Sequence, residues 1–132
     1  MLSGSETWTL TKALKKRLDG TYTRLLRTAL NVSWEDHITN RDLYQDLLPV
    51  TEVIKERRLR FIGHCWRSKS ELASKLILWD PSHGKRSRGR PAVTLIDQLE
   101  EDTGIRRNEL PKLMDDRLHW KNLILEVRVR ST

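Results

Sequence analysis

Thr51-Glu52-Val53-Ile54-Lys55-Glu56-Arg57-Arg58-Leu59-Arg60-Phe61-Ile62-Gly63-His64-Cys65-Trp66-Arg67-Ser68-Lys69 is the stretch on which the fold turns. Thr51 stands where a hydroxyl can accept a free first-turn amide, so a helix is predicted from there to about Lys69. On a 3.6-residue period Arg57, Arg60, His64 and Arg67 recur at three, four and three residues and share one stripe. Ile54, Phe61, Ile62, Cys65 and Trp66 occupy the broad opposite side. One face is expected to pack and the other to meet an anion. Gly63 beside the stripe has two readings: close approach of a backbone or phosphate, or close packing of another helix.

Upstream, apolar residues from Thr9 to Asn31 fall at Leu10, Ala13, Leu14, Leu18, Tyr22, Leu25, Leu26, Ala29 and Leu30, one stripe of a long helix. Asp19-Gly20 is a turn signal inside it, but the periodicity continues in phase, so the pair marks a weak point rather than a break. Thr39 can cap a short helix through Leu47 or Leu48, with Pro49 stopping it. Downstream, Lys75-Leu76-Ile77-Leu78-Trp79 suits a strand or a helix end ahead of a loop. Val93, Leu95, Ile96 and Leu99 mark a helix ended near Gly104, and the apolar positions from Leu110 to Ile124 suggest one or two more. The fold class expected is mainly α: a small helical bundle, with room for one short β-hairpin around the loop.

That loop, Gly84-Lys85-Arg86-Ser87-Arg88-Gly89-Arg90-Pro91, is the second basic segment. Both segments favour Arg over Lys, and a guanidinium presents a fork of donors that fits phosphate oxygens two at a time. Arg88-Gly89-Arg90-Pro91 also matches the core of a hook that enters the minor groove of A·T-rich DNA, although Ser87 replaces the flanking proline of a good hook. The whole chain of 132 residues carries a formal charge of +7, with 25 Lys and Arg against 18 Asp and Glu. Such a balance biases the partner toward polyanions.

Other chemistries find little support. The single cysteine, Cys65, excludes an intramolecular disulfide and a multi-thiolate zinc knuckle, and the chain reads as intracellular. His64 and Cys65 diverge by about 100° on a helix and cannot hold one metal ion together. Asp115-Asp116 and Glu100-Glu101-Asp102 also project apart, so no metal and no cofactor is expected. The familiar nucleotide-loop, nucleophile-elbow and zinc-protease signatures are missing, and no catalytic residue is expected. No apolar run approaches membrane-spanning length. Trp8, Trp34, Trp66, Trp79 and Trp120 are spread out, as core anchors would be, with Trp66 at the edge of the basic stripe.

Taken in order, Gly4-Ser5-Glu6-Thr7-Trp8, Leu25-Leu26-Arg27, Asn31-Val32-Ser33-Trp34, Arg57 to His64 and Gly84 to Pro91 resemble the region after the polymerase palm in LINE-type (non-LTR, RTE-like) retrotransposon reverse transcriptases. The resemblance implies a helical thumb and C-terminal region that grips template and primer beside a palm absent from this chain. It implies a thumb-like segment over 1–70, a connector with the basic loop over 71–91 and a C-terminal helical segment over 92–132. RNA/DNA hybrid, or an RNA or DNA backbone, would be the partner. The edge left by the palm would favour self-association, and a nuclear location would follow if the chain is expressed. The paired catalytic carboxylates of the palm are missing, so polymerase activity is not implied for this chain. Arg57, Arg60, His64 and Arg67 on the helix, and Lys85, Arg86, Arg88, Gly89 and Arg90 in the loop, are the expected contacts. Two alternatives remain: a chromatin-type binder of A·T-rich minor groove, and a helical protein-interaction module.

Overall fold

A computed structural model of the protein describes residues 2–45, 47–68, 71–79 and 93–130. The basic loop at 84–91, with Lys85, Arg86, Arg88, Gly89 and Arg90, lies outside the described residues, as does any hairpin around it. The described residues form α1 (Lys12–Ala29), α2 (Asn40–Tyr44), α3 (Val50–Arg67), α4 (Glu71–Ile77), α5 (Leu95–Thr103), α6 (Leu110–Asp115) and α7 (Arg117–Arg130), with no strand among them. The mainly α class expected from periodicity is the class observed. Residues 75–77, which also suited a strand, belong to α4.

Local chemistry explains most boundaries. Thr11 caps α1 by accepting from the Leu14 amide, and Thr39 caps α2 by accepting from the Asp42 amide. The second helix stops at Tyr44, earlier than expected, because Gln45 turns to φ 44. Thr94 and Asp97 form a reciprocal capping box at α5, and Gly104 closes that helix in the left-handed region at φ 73. Asp116 caps α7 by accepting from the Leu118 and His119 amides at 2.8 and 3.1 Å.

The start of α3 departs from expectation. The helix begins at Val50, after Pro49, and Thr51 lies inside its first turn rather than capping it. Asp19 supplies the missing acceptor from α1: its carboxylate takes the Thr51 amide at 3.0 Å and the Thr51 hydroxyl at 2.7 Å. The Asp19-Gly20 pair is therefore no break, as the in-phase periodicity predicts. The helix runs unbroken through it, and Asp19 ties α1 to α3.

The central element is α3, which touches α1, α4, α6, α7 and the short 3-10 turn at Ser5–Thr7. The core joins its Leu59 and Ile62 to Ile77 of α4, Ile96 and Leu99 of α5, Leu110 and Met114 of α6, and Trp120, Ile124 and Val127 of α7. Gly63 settles on the packing reading: a Cβ there would collide with the Trp120 indole at Nε1 and Cδ1. The indole fills that space and donates to the Leu59 carbonyl at 2.9 Å.

Two expectations about the core fail. Trp120 is buried, but Trp34 is 79% and Trp79 58% exposed, and Trp8 is also exposed, so the tryptophans are not all anchors. Phe61, expected on the packing side of α3, is exposed as well, because α7 and α6 cover the Leu59–Ile62–Gly63 side and leave it uncovered. Trp66 is half-buried against the core and its indole N–H donates to Asp115 at 2.7 Å, consistent with an anchor rather than a stacking platform.

Candidate nucleic-acid interface

The Gly63–Trp120 contact brings the basic stripe of α3 beside the first turns of α7. Between them lies an open groove of about 800 Å³, lined by Arg60, His64, Arg67 and Ser68 from α3 and by Arg117, Trp120, Lys121, Ile124 and Leu125 from α7. Four permanent cations and a histidine meet there, and no Asp or Glu is among the lining residues. Trp120 contributes only a buried edge, so the groove offers no exposed aromatic face for a base.

Three of the four residues expected on α3 thus share one site, and each is held differently. Arg60 pairs with Glu56 one turn earlier, which positions its exposed guanidinium along the helix. Arg67 is half-buried and donates to the Met114 carbonyl at 2.8 Å, joining α3 to the end of α6. His64 is exposed on the groove wall, where its ring is open to a ligand. Arg57 does not belong to the groove: it is exposed and reaches back toward the Leu2 carbonyl at 3.4 Å.

Arg117 and Lys121 escape a reading of the sequence. Their i, i+4 spacing would put both on one face of a helix, but the apolar positions around them define that helix without showing what faces it. Only the Gly63 notch, which seats Trp120, makes them neighbours of the α3 stripe.

Arg58 has the opposite character from its neighbours. It is 1% exposed and its guanidinium donates to Asp102 of α5, to the Trp8 carbonyl at 2.8 Å and to the Glu6 carbonyl at 3.3 Å. This arginine holds the N-terminal segment against the bundle and is closed to a ligand. Burial pushes the Asp102 carboxyl up, against the downward pull of Arg58.

The acidic clusters divide as expected of helix-borne neighbours. Glu100 accepts from the Arg107 amide, Glu101 pairs with Lys15 at 3.0 Å and Asp102 binds Arg58. No group of three or more metal-ligating side chains occurs among the described residues. None of the described helices is long and apolar enough to cross a membrane.

Among curated proteins, the chain is similar to a transposon-derived protein of Caenorhabditis elegans, at 31% identity over 107 residues. That match covers 75% of this chain and 38% of the worm protein, so the chain spans well under half of its relative's length. The similarity indicates a transposon origin. No family model matches the chain, and no solved structure matches it.

Proposed function

We propose that this protein is a non-catalytic nucleic-acid-binding module that grips a phosphate backbone in the groove between α3 and α7, as the thumb and C-terminal region of a LINE-type reverse transcriptase would. The observation that carries this reading is the groove itself: Arg60, His64, Arg67, Arg117 and Lys121 converge from two helices with no acidic residue lining the space. Arginine there supplies paired donors to phosphate oxygens, while lysine supplies a point charge. Without an exposed aromatic, binding is electrostatic and independent of sequence. The similarity to a transposon-derived protein supports the same reading.

RNA/DNA hybrid is the expected partner, with RNA and DNA duplexes bound through the same backbone contacts. The loop cations Lys85, Arg86, Arg88 and Arg90 would add a second stretch of backbone contact. Titrating labelled hybrid, duplex and single strands across a salt series tests the proposal. The wild-type chain should bind with steep salt dependence, and a chain with Arg60, Arg117 and Lys121 changed to Gln should bind more weakly and with a shallower slope. Equal, weak binding by the two proteins would refute it.

A further inference from the structure

The cations of α1 divide into a bonded and an unbonded set. Lys15 pairs with Glu101, and the half-buried Arg27 donates to the Ile38 carbonyl at 2.7 Å and to Asn40 at 3.1 Å. Lys12, Lys16, Arg17 and Arg24 are exposed and make no ion pair among the described residues. At 100° per residue these four span an arc of about 140°, with Gly20 near its centre and the bonded Arg27 also inside it.

Gly20 is the unexplained residue. A glycine inside a helix destabilises it relative to alanine, through the extra backbone freedom surrendered on folding. At Gly63 the missing side chain admits Trp120, but a Cβ added at Gly20 would meet no atom within 4 Å. The fold makes no use of the bare backbone there. A bare backbone in the middle of a cationic arc leaves room for a phosphate chain to come down onto the helix. From these observations we infer that the outer face of α1 is a second polyanion-binding surface, which lets one molecule hold two nucleic-acid segments at once. The inference rests on the proposed function, since it takes the same class of ligand.

The two surfaces are separate patches. The α1 helix meets α3 at Thr51, about 20 Å along the helix from His64 at 1.5 Å per residue. The Debye length at physiological salt is only about 8 Å, so the charges of one patch are largely screened from those of the other. Between them, Lys55 is paired with Glu52, Lys15 with Glu101 and Arg128 with Glu56. A lipid surface suits the arc less well. An interfacial helix must bury its apolar face in the bilayer, whereas Leu18, Tyr22 and Leu26 of α1 are partly buried on the side turned to the bundle, and the exposed Leu14 and Leu25 lie outside the cationic arc.

The test is a pairing assay. Two short DNA duplexes, one carrying a donor dye and one an acceptor, are mixed with protein shown to be monomeric by light scattering. Wild-type protein should bring them together, giving energy transfer. A chain with Lys12, Lys16, Arg17 and Arg24 changed to Gln should still bind one duplex through the groove, with pairing reduced at least tenfold. Gly20→Ala gives a second check, raising the melting temperature while weakening pairing several-fold. Salt-steep duplex binding with pairing unchanged in the α1 variant would overturn this inference alone. No duplex binding by wild type would overturn it together with the proposed function. Binding of α1 to phosphatidylserine vesicles, with duplex pairing indifferent to its cations, would overturn it in favour of a membrane surface.

Discussion

At Gly63 a single hydrogen atom decides whether the site exists. Adding a methyl group would drive into the Trp120 indole, and α7 would have to move away from α3. Gly63→Ala should cost about 1 to 3 kcal/mol as an overpacked contact, read from the urea midpoint, and should weaken polyanion binding because Arg117 and Lys121 leave the groove. Asp102 is equally exacting, since it is the only carboxylate meeting the buried Arg58 guanidinium among the described residues. Asp102→Asn should cost about 3 to 5 kcal/mol by the same urea midpoint, because it leaves a buried charge without its counterion. The packing role of Gly63 is one of the two readings its sequence context allows, whereas the Arg58–Asp102 pair leaves no mark in the sequence. Arg58 reads as one more member of a basic run, and only the arrival of α5 and the Trp8 backbone separates it from Arg57 and Arg60.

Helices are legible where one residue type dictates the outcome and obscure where two segments share it. Thr11, Thr39, Thr94 and Gly104 act locally, so periodicity and capping locate α1, α2 and α5. The role expected of Thr51 at the start of α3 falls instead to Asp19 from 32 residues away, a partnership no local pattern contains. Asp19→Ala should lower stability by about 1 to 2 kcal/mol, by removing two hydrogen bonds and orphaning a first-turn amide, and chemical denaturation would show it. The α5 cap has a pH signature. Hydrogen bonds from the Thr94 side chain and backbone, opposed by burial and aided by Arg107, hold the Asp97 carboxyl below its ordinary 3.8. A lowered folded-state value means the contribution is complete above about pH 4 and fades as pH falls through the lower value. Thr94→Ala, which removes the side-chain bond but keeps the backbone one, should therefore make the acid side of the stability profile shallower while leaving its shape near neutrality unchanged. Burial of Asp102 works in the opposite sense, so it does not produce that limb.

For the whole molecule, charge and composition motivate the proposed polyanionic partner, and the α3 stripe forms part of the proposed surface. Completion of that surface by Arg117 and Lys121 depends on how α7 crosses α3, which is a property of the assembled bundle. The same assembly exposes Phe61 and leaves Trp34 and Trp79 outside, so residue type alone misjudges the core. What emerges is a transposon-related helical unit whose buried Arg58 secures the fold and whose groove residues Arg60 and Arg117 remain presented to solvent. The direct test is the slope of log affinity against log salt for RNA/DNA hybrid, compared between wild type and the Arg60, Arg117 and Lys121 to Gln variant. Removing one phosphate-binding cation should reduce the slope by somewhat less than about one, so the triple variant should be shallower by about two to three. An identical slope, with the variant folded as judged by its denaturation midpoint, would contradict a groove that grips phosphate.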